Sequence, residues 1–590
     1  MKHQAYETEI GKLHTKETKI KKRSNLCLYG KLLFFASSVI FGYFSYSNFC
    51  YLYIMLTILS FAIYITLCIL DNKYQKNIKM LQRLQTICNN EIAYLNGNFD
   101  KFDPGDKYID TEHEFSYDLD IFGKNSLFNR INRCITQKGR DKLASKLTQL
   151  CQDKQKINDN QMAITELSSM FEWRIKYMAN PYIADNFGGL ARQIANNTKN
   201  FFIKSTVPYI LIGLAATTFL LGLFNIVTWH YFSAIFSINL ICSLLFFRTL
   251  STTNVNAEML HKEFAAYLNV LKDIHNANFK SNALKDLKHE LFGKGTNSLD
   301  AFKELSKILN MFDQRGNAII YLLLNGTILF DIILVKKMMS WSKKHLSHIQ
   351  HWFDCIAELD ALVSFGNYAY NNPDNTTAEI LPENTTEIIQ TTNIYHPFLT
   401  HRKAVPNNFT LNKNNIAIVT GANMAGKSTF LRAIGTNYIL ACNGAPVCAQ
   451  SFKFTIVTLF SSMRTTDDLS KDISYFNAEL LRLKQLILHI KSHHCTLIIL
   501  DEILKGTNSK DKLNGSIIFL REISKYNIAA LIATHDLELA KLAEENGSTY
   551  SNYRFEIELS NEIKYTYKLE KGIAQNLNAS YLLSNMLKCT

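Results

Sequence analysis

The sequence lacks the cysteine and histidine patterns that build zinc sites or disulfide frameworks. Its 12 cysteines are scattered over 590 residues from Cys27 to Cys589, without a CxxC pair and without histidines at zinc-finger spacing. In a chain of this size, such cysteines are typical of reduced thiols in a cytosolic setting. We therefore expect neither a disulfide-stapled fold nor a structural metal site.

Charged residues are missing from two long blocks. Leu32–Leu70 contains no Asp, Glu, Lys or Arg over 39 residues, and Ser205–Phe247 contains none over 43 residues. One membrane crossing takes about 20 apolar residues, so each block is long enough for two. A polar midpoint divides each block. The sequence therefore predicts two transmembrane helical hairpins, four spans in all, within 30–72 and 205–248.

Lysine and arginine cluster on the flanks of these blocks, and the short turns inside them carry neither. The positive-inside rule then places the flanks, and with them every large soluble segment, in the cytoplasm. We expect a multi-pass protein of the cytoplasmic (inner) membrane. Buried core helices are the alternative interpretation, but such helices normally show a polar face.

A third apolar stretch, Ile319–Val335, differs from these two blocks. It contains Asn325 and Asp331 and is short for a membrane span. We expect it to form a buried helix of a soluble domain.

The remaining sequence divides into helical and mixed regions. Proline is scarce before residue 371, and apolar residues recur at helical spacing, as in Leu143, Leu147 and Leu150. After 376, short β-rich runs alternate with helices, which predicts a parallel sheet. The expected multi-domain order is a basic N-terminus (1–29), hairpin 1 (30–72), an all-α core (73–204), hairpin 2 (205–248), the second part of the core (249–375) and an α/β P-loop domain of the ABC type (376–590).

A nucleotide site is predicted at the first strand of the last domain. The apolar run Ile416–Thr420 is followed by Gly421–Ser428, which fits G-x-x-x-x-G-K-[ST], and a helix opens after it. Backbone N–H groups of such a loop wrap phosphates, its lysine reaches the β- and γ-phosphates, and its serine ligates Mg²⁺. The expected cofactors are ATP and Mg²⁺, and the expected nucleotide-binding residues are Gly421, Ala422, Asn423, Met424, Ala425, Gly426, Lys427, Ser428 and Thr429.

Two further strands end in candidate catalytic residues. Leu497–Leu500 leads into Asp501 and Glu502, and a later apolar run leads into His535. Asp501 would join Ser428 in holding Mg²⁺, Glu502 would polarise the attacking water, and His535 would sense the γ-phosphate. Paired acids at a strand end are commonly solvated turn residues, and a lone histidine is more often structural. The preceding P-loop favours the catalytic interpretation.

Together these motifs resemble the MutS family of DNA mismatch-repair ATPases. The P-loop contains the family's distinctive Asn423-Met424 pair, Asp501–Thr507 resembles its Walker B stretch, and Ser474–Glu479 resembles its signature segment. The likeness covers 385–590 and extends more weakly to 115–175. It implies that Ser474 reaches the γ-phosphate bound to a partner subunit, so that ATP closes a homodimer, and that DNA is a partner.

The sequence also departs from the family's pattern. Ala422 and Ala425 stand where the family usually has proline and glycine, and Leu504 and Lys505 replace the usual Gly-Arg. These changes put the rate of ATP turnover in doubt more than they do ATP binding. We expect a short, membrane-anchored protein without the mismatch-recognition domain, because no Phe-x-Glu wedge appears before the first block.

Two functions stay open on the sequence alone. In the first, a membrane-tethered MutS-like ATPase clamps DNA at the inner face of the membrane. In the second, an ABC-class membrane ATPase drives a protein or membrane partner without DNA. The net charge of +13 does not decide between them, since the positive-inside rule already explains the basic N-terminus. The absence of an LSGGQ signature counts against an ordinary transporter.

Overall fold

The computed structural model describes residues 2–48, 50–184, 206–293, 297–313, 318–382, 384–399, 404–464, 475–506, 508–559 and 563–575. The chain is helix-rich, with α/β sheets in its C-terminal part, and forms two compact units. The first unit contains residues 1–103 and 170–180, and the second contains 104–169, 181–400 and 404–590.

The first unit is built on two long helices. Helix α1 spans Lys2–Asn48 and α2 spans Tyr51–Leu95, and the short helix α6 spans Phe171–Met178. At 1.5 Å per residue, the 47 residues of α1 extend about 70 Å. The basic N-terminus and the first predicted span thus form one continuous helix, because no proline or loop-forming cluster interrupts it.

Polar side chains join α1 to α2 at two levels. Lys31 Nζ lies 2.5 Å from Asp71 Oδ2. Further from the turn between the helices, the Nε2 atoms of Gln82 and Gln85 each donate to a carboxylate oxygen of Glu17 at 2.9 Å. These bonds fix the register of the two antiparallel helices.

Between these levels and the turn, both helices expose large apolar side chains. Both helices are long and apolar enough to cross a membrane. An apolar surface of this extent is typical of contact with lipid or a partner. The side chains more than half exposed include Leu32, Leu33, Val39, Ile40, Leu52, Met55, Ile58 and Ile69.

The second unit begins with helices. They are α3 (Leu127–Ile131), α4 (Gln137–Thr148), α5 (Lys154–Ser169), α7 (Val207–Leu223), α8 (Trp229–His275), α9 (Asn282–Phe292), α10 (Ser298–Asp313), α11 (Ala318–Ile328) and α12 (Phe330–Asn371). Asp360 of α12 binds the start of α4, because its Oδ2 accepts from Thr136 N at 2.9 Å and from Thr136 Oγ1 at 2.8 Å.

The structure does not support the predicted number of four membrane spans. Among the described residues, two helices, α1 and α2, have the length and composition of a span, and Val207–Leu223 and Trp229–Leu244 are shorter apolar stretches. Helix α7 has 17 residues, about 26 Å, which falls short of a hydrocarbon core of about 30 Å. Length therefore separates α7 from α1 and α2, whereas α8 continues past Leu244 to His275.

The stretch Ile319–Val335 does not form the single buried helix that we predicted. The chain breaks at Leu329, where φ is +49°, and α11 and α12 meet there at a bend of 76°. Ile319 is 70% exposed, whereas Asp331 is fully buried at the start of α12. Taken together, α11 and α12 are apolar enough for a broken span.

The C-terminal part carries two sheets. One has four strands in the order β1-β5-β2-β3, and the other has six in the order β10-β9-β4-β8-β7-β6. Pairing is parallel from β9 through β4, β8 and β7 to β6, and antiparallel between β9 and β10. The strands are β1 (Glu379–Ile380), β2 (Glu387–Ile394), β3 (Asn407–Asn412), β4 (Ile416–Gly421), β5 (Ser451–Phe454), β6 (Thr458–Ser462), β7 (Thr496–Asp501), β8 (Ile528–Thr534), β9 (Tyr550–Leu559) and β10 (Ile563–Lys571).

Helices cover the six-stranded sheet. They are α13 (Lys427–Cys442), α14 (Tyr475–Ser492), α15 (Ser509–Ile523) and α16 (Leu542–Glu545). The central strands β4 and β8 are buried along their whole length, as expected for parallel strands covered on both faces. Ile418, Ile498 and Ile532 belong to one apolar core, which holds the strand ends in fixed positions.

Candidate functional site

Three neighbouring parallel strands end at the same edge of the six-stranded sheet. Strand β4 ends at Gly421, β8 at Thr534 and β7 at Asp501, and the register pairs Thr420 with Thr534 and Asp501 with Ala533. In open α/β sheets, ligands bind at the carboxyl ends of the strands. The predicted P-loop, acidic pair and histidine are therefore brought to one place.

The loop between β4 and α13 needs glycine at both ends. A Cβ atom on Gly421, where φ is +152°, would lie 2.7 Å from the carbonyl oxygen of Phe555. Gly426 has φ +107°, and its Cβ would lie 3.1 Å from Tyr567 Cδ1. Met424, between them, also has a positive φ of 65°. The sequence G-x-x-x-x-G therefore permits a tightly curved backbone that side chains at its two ends would block.

Lys427 folds back over this loop. Its Nζ atom donates to the carbonyl oxygens of Gly421 at 2.7 Å and Ala422 at 2.9 Å, and lies 3.3 Å from His535 Nδ1. Burial lowers the pKa of Lys427 to about 8, and the negative charges of Asp501 and Glu502 oppose that shift. A cation held inside a glycine-rich loop is suited to an anionic ligand such as a phosphate chain.

Glu502 and His535 are in direct contact. His535 Nε2 lies 3.3 Å from Glu502 Oε1, and burial lowers the histidine pKa, assisted by the charge of Lys427. With its proton on Nε2, a neutral imidazole donates to Glu502 and accepts from Lys427 through Nδ1; with its proton on Nδ1, it donates to the Gly421 carbonyl oxygen, 3.2 Å away. Glu502 has φ +60°, an uncommon conformation for a residue other than glycine, and its N–H donates to Ala533 O at 2.9 Å.

The other predicted site residues differ in exposure. Ala422 and Ala425 are buried, so a methyl group fits at both positions. Asp501 is partly buried at the end of β7. On the open side of the loop and the first turn of α13, the exposed side chains are Asn423, Met424, Ser428 and Thr429. Ser474, the predicted partner-subunit contact, lies outside the described residues.

The residues present fit a metal–nucleotide ligand. The glycine cradle is closed to a Cβ atom at Gly421 and crowded at Gly426, Lys427 supplies a buried cation, and Ser428 and Asp501 offer oxygen ligands. Mg²⁺ prefers one or two protein oxygens together with substrate phosphates. Ser428 and Asp501 are therefore the residues that could hold Mg²⁺ with a nucleotide.

Sequence reasoning missed a second lysine at the site. Lys512 of α15 places Nζ 3.8 Å from Glu502 Oε2. Its charge also contributes to the lowered pKa of His535. The sequence does not indicate this contact, because Lys512 belongs to no motif. The contact depends on how α15 packs against the sheet.

A bulge in strand β10 was also missed. The register between β9 and β10 shifts between Tyr565 and Leu569. Asn407 holds this bulge, because its Nδ2 donates to Tyr567 O at 3.0 Å and its Oδ1 accepts from Leu569 N at 2.8 Å. No local pattern in the sequence indicates this contact, which joins residues 160 positions apart.

An acidic segment, residues 114–120, packs against the six-stranded sheet domain. Asp120 accepts from Arg464 Nη1 at 2.6 Å and Nη2 at 2.9 Å, and from Arg432 Nη1 at 3.0 Å. Asp118 accepts from Ser461 Oγ at 2.9 Å and from Arg464 N at 2.8 Å. Arg432 lies on α13 and Arg464 follows β6, so the acidic segment connects the P-loop helix to the chain that leads towards Ser474.

Comparisons with known proteins match the C-terminal part of the chain. Residues 417–584 match the family model of MutS domain V. The chain is 29% identical to MutS protein homolog 4 of Mus musculus over 258 residues, which is 42% of this chain and 26% of that protein. It is 32% identical to the DNA mismatch repair protein MutS of Caldicellulosiruptor saccharolyticus over 249 residues, 40% of this chain and 28% of that protein.

A third relative gives a shorter match. The DNA mismatch repair protein MutS of Haloquadratum walsbyi is 36% identical over 168 residues, 28% of this chain and 17% of that protein. The chain thus spans about a quarter or less of the length of these relatives. Residues 417–584 are thus similar to MutS domain V, and the C-terminal α/β domain is consistent with that similarity.

Proposed function

We propose, proceeding from the MutS-family relationship of residues 417–584, that this chain is a membrane-anchored ATPase acting on DNA. ATP binding and hydrolysis at the carboxyl ends of β4, β7 and β8 would drive closure of a homodimer. The observation that carries the proposal is the contact of Lys427 with His535 at 3.3 Å and of His535 with Glu502 at 3.3 Å, beside the P-loop.

Each side chain at the site has a role in this proposal. Lys427 exchanges its bonds to the Gly421 and Ala422 carbonyls for the oxygens of the β- and γ-phosphates. Glu502 orients a water molecule for attack and accepts its proton. His535 holds the Glu502 carboxylate through Nε2 and stands beside the position of the terminal phosphate.

The loop and the first turn of α13 would bind the rest of the nucleotide. Backbone N–H groups from Ala422 to Thr429 surround the phosphates, and the N-terminus of α13 adds a favourable dipole. Ser428 and Asp501 would hold Mg²⁺, which neutralises charge on the phosphates.

The dimer part of the proposal depends on Ser474. By the family resemblance, this serine reaches the γ-phosphate bound to the partner subunit, so that two ATP molecules close two sites. The acidic segment supports such coupling, because Asp120 binds both Arg432 on the P-loop helix and Arg464, which leads towards Ser474.

The domain plan of the proposal follows the sequence. Residues 73–204 and 249–375 would supply a MutS-like helical core, and residues 376–590 the ATPase. The apolar surfaces of α1 and α2 would anchor the chain in the cytoplasmic membrane, with its soluble parts in the cytoplasm.

The first experiment tests the ATPase. Lys427→Ala should abolish nucleotide binding, because the buried cation is lost, and Glu502→Gln should bind ATP normally but hydrolyse it at least about a hundredfold more slowly. Binding is measured with a fluorescent ATP analogue, and hydrolysis by phosphate release. Lys525→Ala, an exposed lysine between α15 and the amino end of β8, is the matched control. Normal hydrolysis by either site variant would refute the assignment.

The second experiment tests DNA as the partner. Purified protein is mixed with homoduplex and mismatched duplex across a salt series, with ATP, with ADP and without nucleotide. Binding through phosphate contacts should weaken steeply as salt rises. If neither duplex shifts at low salt while ATP is still hydrolysed, the DNA role fails. The ABC-class function on a protein or membrane partner then takes its place.

A further inference from the structure

A cluster of three different metal-binding side chains lies in the helical part of the second unit, away from the P-loop motifs in sequence. Glu290 on α9 and His351 and Cys355 on α12 present one ligand atom each, all within 4.8 Å of one another. We propose that these three residues form a binding site for a transition-metal ion of the zinc class, with the fourth position open to water.

The distances between the ligand atoms fit a metal tetrahedron. Cys355 Sγ lies 3.1 Å from Glu290 Oε2 and 3.7 Å from His351 Nε2, and His351 Nε2 lies 3.5 Å from Glu290 Oε2. With zinc bonds of about 2.3 Å to sulfur and about 2.0–2.2 Å to nitrogen and oxygen, tetrahedral edges are about 3.6 Å to sulfur and about 3.4 Å between nitrogen and oxygen. The three atoms can therefore close around an ion with shifts of a few tenths of an ångström.

The helices hold the ligands in place. His351 and Cys355 are four residues apart on α12 and thus lie on one face, a turn apart. Glu290 comes from α9, 65 residues earlier than Cys355. An ion bound here would join two helices of the same unit.

Burial and donor chemistry indicate the class of ion. Cys355 is buried, whereas the side chains of His351 and Glu290 are 56% and 48% exposed, so an ion can enter from solvent. A thiolate with an imidazole and one carboxylate suits Zn²⁺ and chemically similar ions, while Mg²⁺ and Ca²⁺ prefer oxygen ligands alone. The site is thus chemically distinct from Ser428 and Asp501.

The test uses Co²⁺ as a spectroscopic probe for Zn²⁺. The full chain, purified in detergent and freed of metal with a chelator under reducing conditions, is titrated with Co²⁺ while its absorption is recorded. One Co²⁺ per chain should give thiolate-to-cobalt bands in the near ultraviolet and visible bands of tetrahedral cobalt. Equimolar Zn²⁺ should abolish both sets of bands.

Variants decide which residues bind the ion. Cys355→Ser should lose the thiolate bands, and His351→Gln should weaken Co²⁺ binding at least about tenfold, whereas Cys151→Ser should behave as the wild type. Because His351 and Glu290 are half-exposed, His351→Gln and Glu290→Gln keep the test valid if Cys355→Ser fails to fold. The Lys427→Ala variant should bind Co²⁺ normally, which separates this site from the ATPase.

Two outcomes would overturn the proposal. If the wild type gives no thiolate bands, the three side chains form a hydrogen-bonded cluster only, with the Cys355 thiol donating to Glu290. If the bands persist in Cys355→Ser, another of the cysteines binds the ion.

Discussion

At the scale of single residues, His396 shows how strongly burial changes the pKa of a side chain. His396, in the His396-Pro397 pair before β3, is 6% exposed, and its Nδ1 accepts the Phe398 N–H at 3.1 Å. Burial, with the charges of Arg432 and Arg130, lowers the pKa of His396 to about 3. This imidazole is therefore neutral in the folded protein at any physiological pH.

His396 should make the protein sensitive to acid. Its folded pKa of about 3 lies below the unfolded value of about 6.5, so the unfolded chain takes up a proton first as the pH falls. Stability is thus present above pH 6.5 and is lost as the pH falls towards 3. At pH 5 the loss from this group is about 2 kcal/mol.

The matched variant is His396→Asn, whose amide oxygen can still accept the Phe398 N–H. Between pH 7.5 and pH 5, the midpoint of thermal unfolding in detergent should fall further for the wild type than for His396→Asn. Equal falls in the two proteins would show that His396 does not contribute to acid sensitivity.

At the scale of elements, the P-loop is a junction between a strand and a helix whose shape depends on glycine. We expect Gly426→Ala to weaken ATP binding at least about tenfold, because alanine at φ +107° is strained and its Cβ meets Tyr567. Gly547→Ala is the control, since that position has an ordinary φ and its Cβ lies 3.4 Å from Ala543 O. ATP titrations of both variants measure the effect. Equal affinity in both would mean that the loop adjusts without cost.

The contact between the acidic segment and the P-loop helix gives a second prediction at this scale. Asp120→Asn leaves Arg432 and Arg464 close together without the carboxylate that neutralises them. Because Asp120 is about one-third exposed, we expect a loss of only about 1 kcal/mol in stability, but a larger fall in ATP turnover. Asp141→Asn, also in a surface ion pair, is the control for stability. An unchanged kcat in Asp120→Asn would contradict the coupling role.

The sequence predicted the elements of the site well, because each has a local signature. The apolar runs Ile416–Thr420 and Leu497–Leu500 lie within β4 and β7, and the run before His535 is β8. A buried parallel strand followed by glycine or an acidic residue can be recognised from about ten consecutive residues of sequence. Lys427, Glu502 and His535 each stand in such a pattern, and the structure joins them in the order Lys427–His535–Glu502 through two contacts of 3.3 Å each.

Contacts between distant segments could not be predicted in this way. The pairs of Asp120 with Arg464 and Asn407 with Tyr567 join residues 344 and 160 positions apart, and no periodicity records such pairings. The Glu290, His351 and Cys355 cluster has no short metal-ligand spacing in the sequence either, since Glu290 lies 65 residues before Cys355. The break at Leu329 was hidden because leucine rarely adopts a positive φ.

At the scale of the whole molecule, the proposed membrane anchoring would account for the exposed apolar surface of α1 and α2. If these helices cross the membrane with the soluble parts in the cytoplasm, Cys50 between them lies on the opposite side. Cys50 is exposed, and Cys151, in the soluble part, is partly exposed. Under the proposed topology, the two thiols would lie on opposite faces of the membrane.

A membrane-impermeant maleimide should therefore modify Cys50 in intact cells, and Cys151 only after the cells are permeabilised. Mass spectrometry of peptides from the wild-type protein reads both sites without any substitution. Modification of both thiols in intact cells, or of neither until lysis, would contradict the proposed topology.

The bonds between α1 and α2 restrict how the first unit can move. Sliding one helix past the other by a single turn, about 5.4 Å, would separate Lys31 from Asp71 and Glu17 from Gln82 and Gln85 in the same step. A piston-like displacement of one helix is therefore costly, whereas a tilt of the pair leaves every bond intact. Under the proposed membrane anchoring, a mechanical signal that passes through this hairpin would cross the membrane as a change of angle and not of depth.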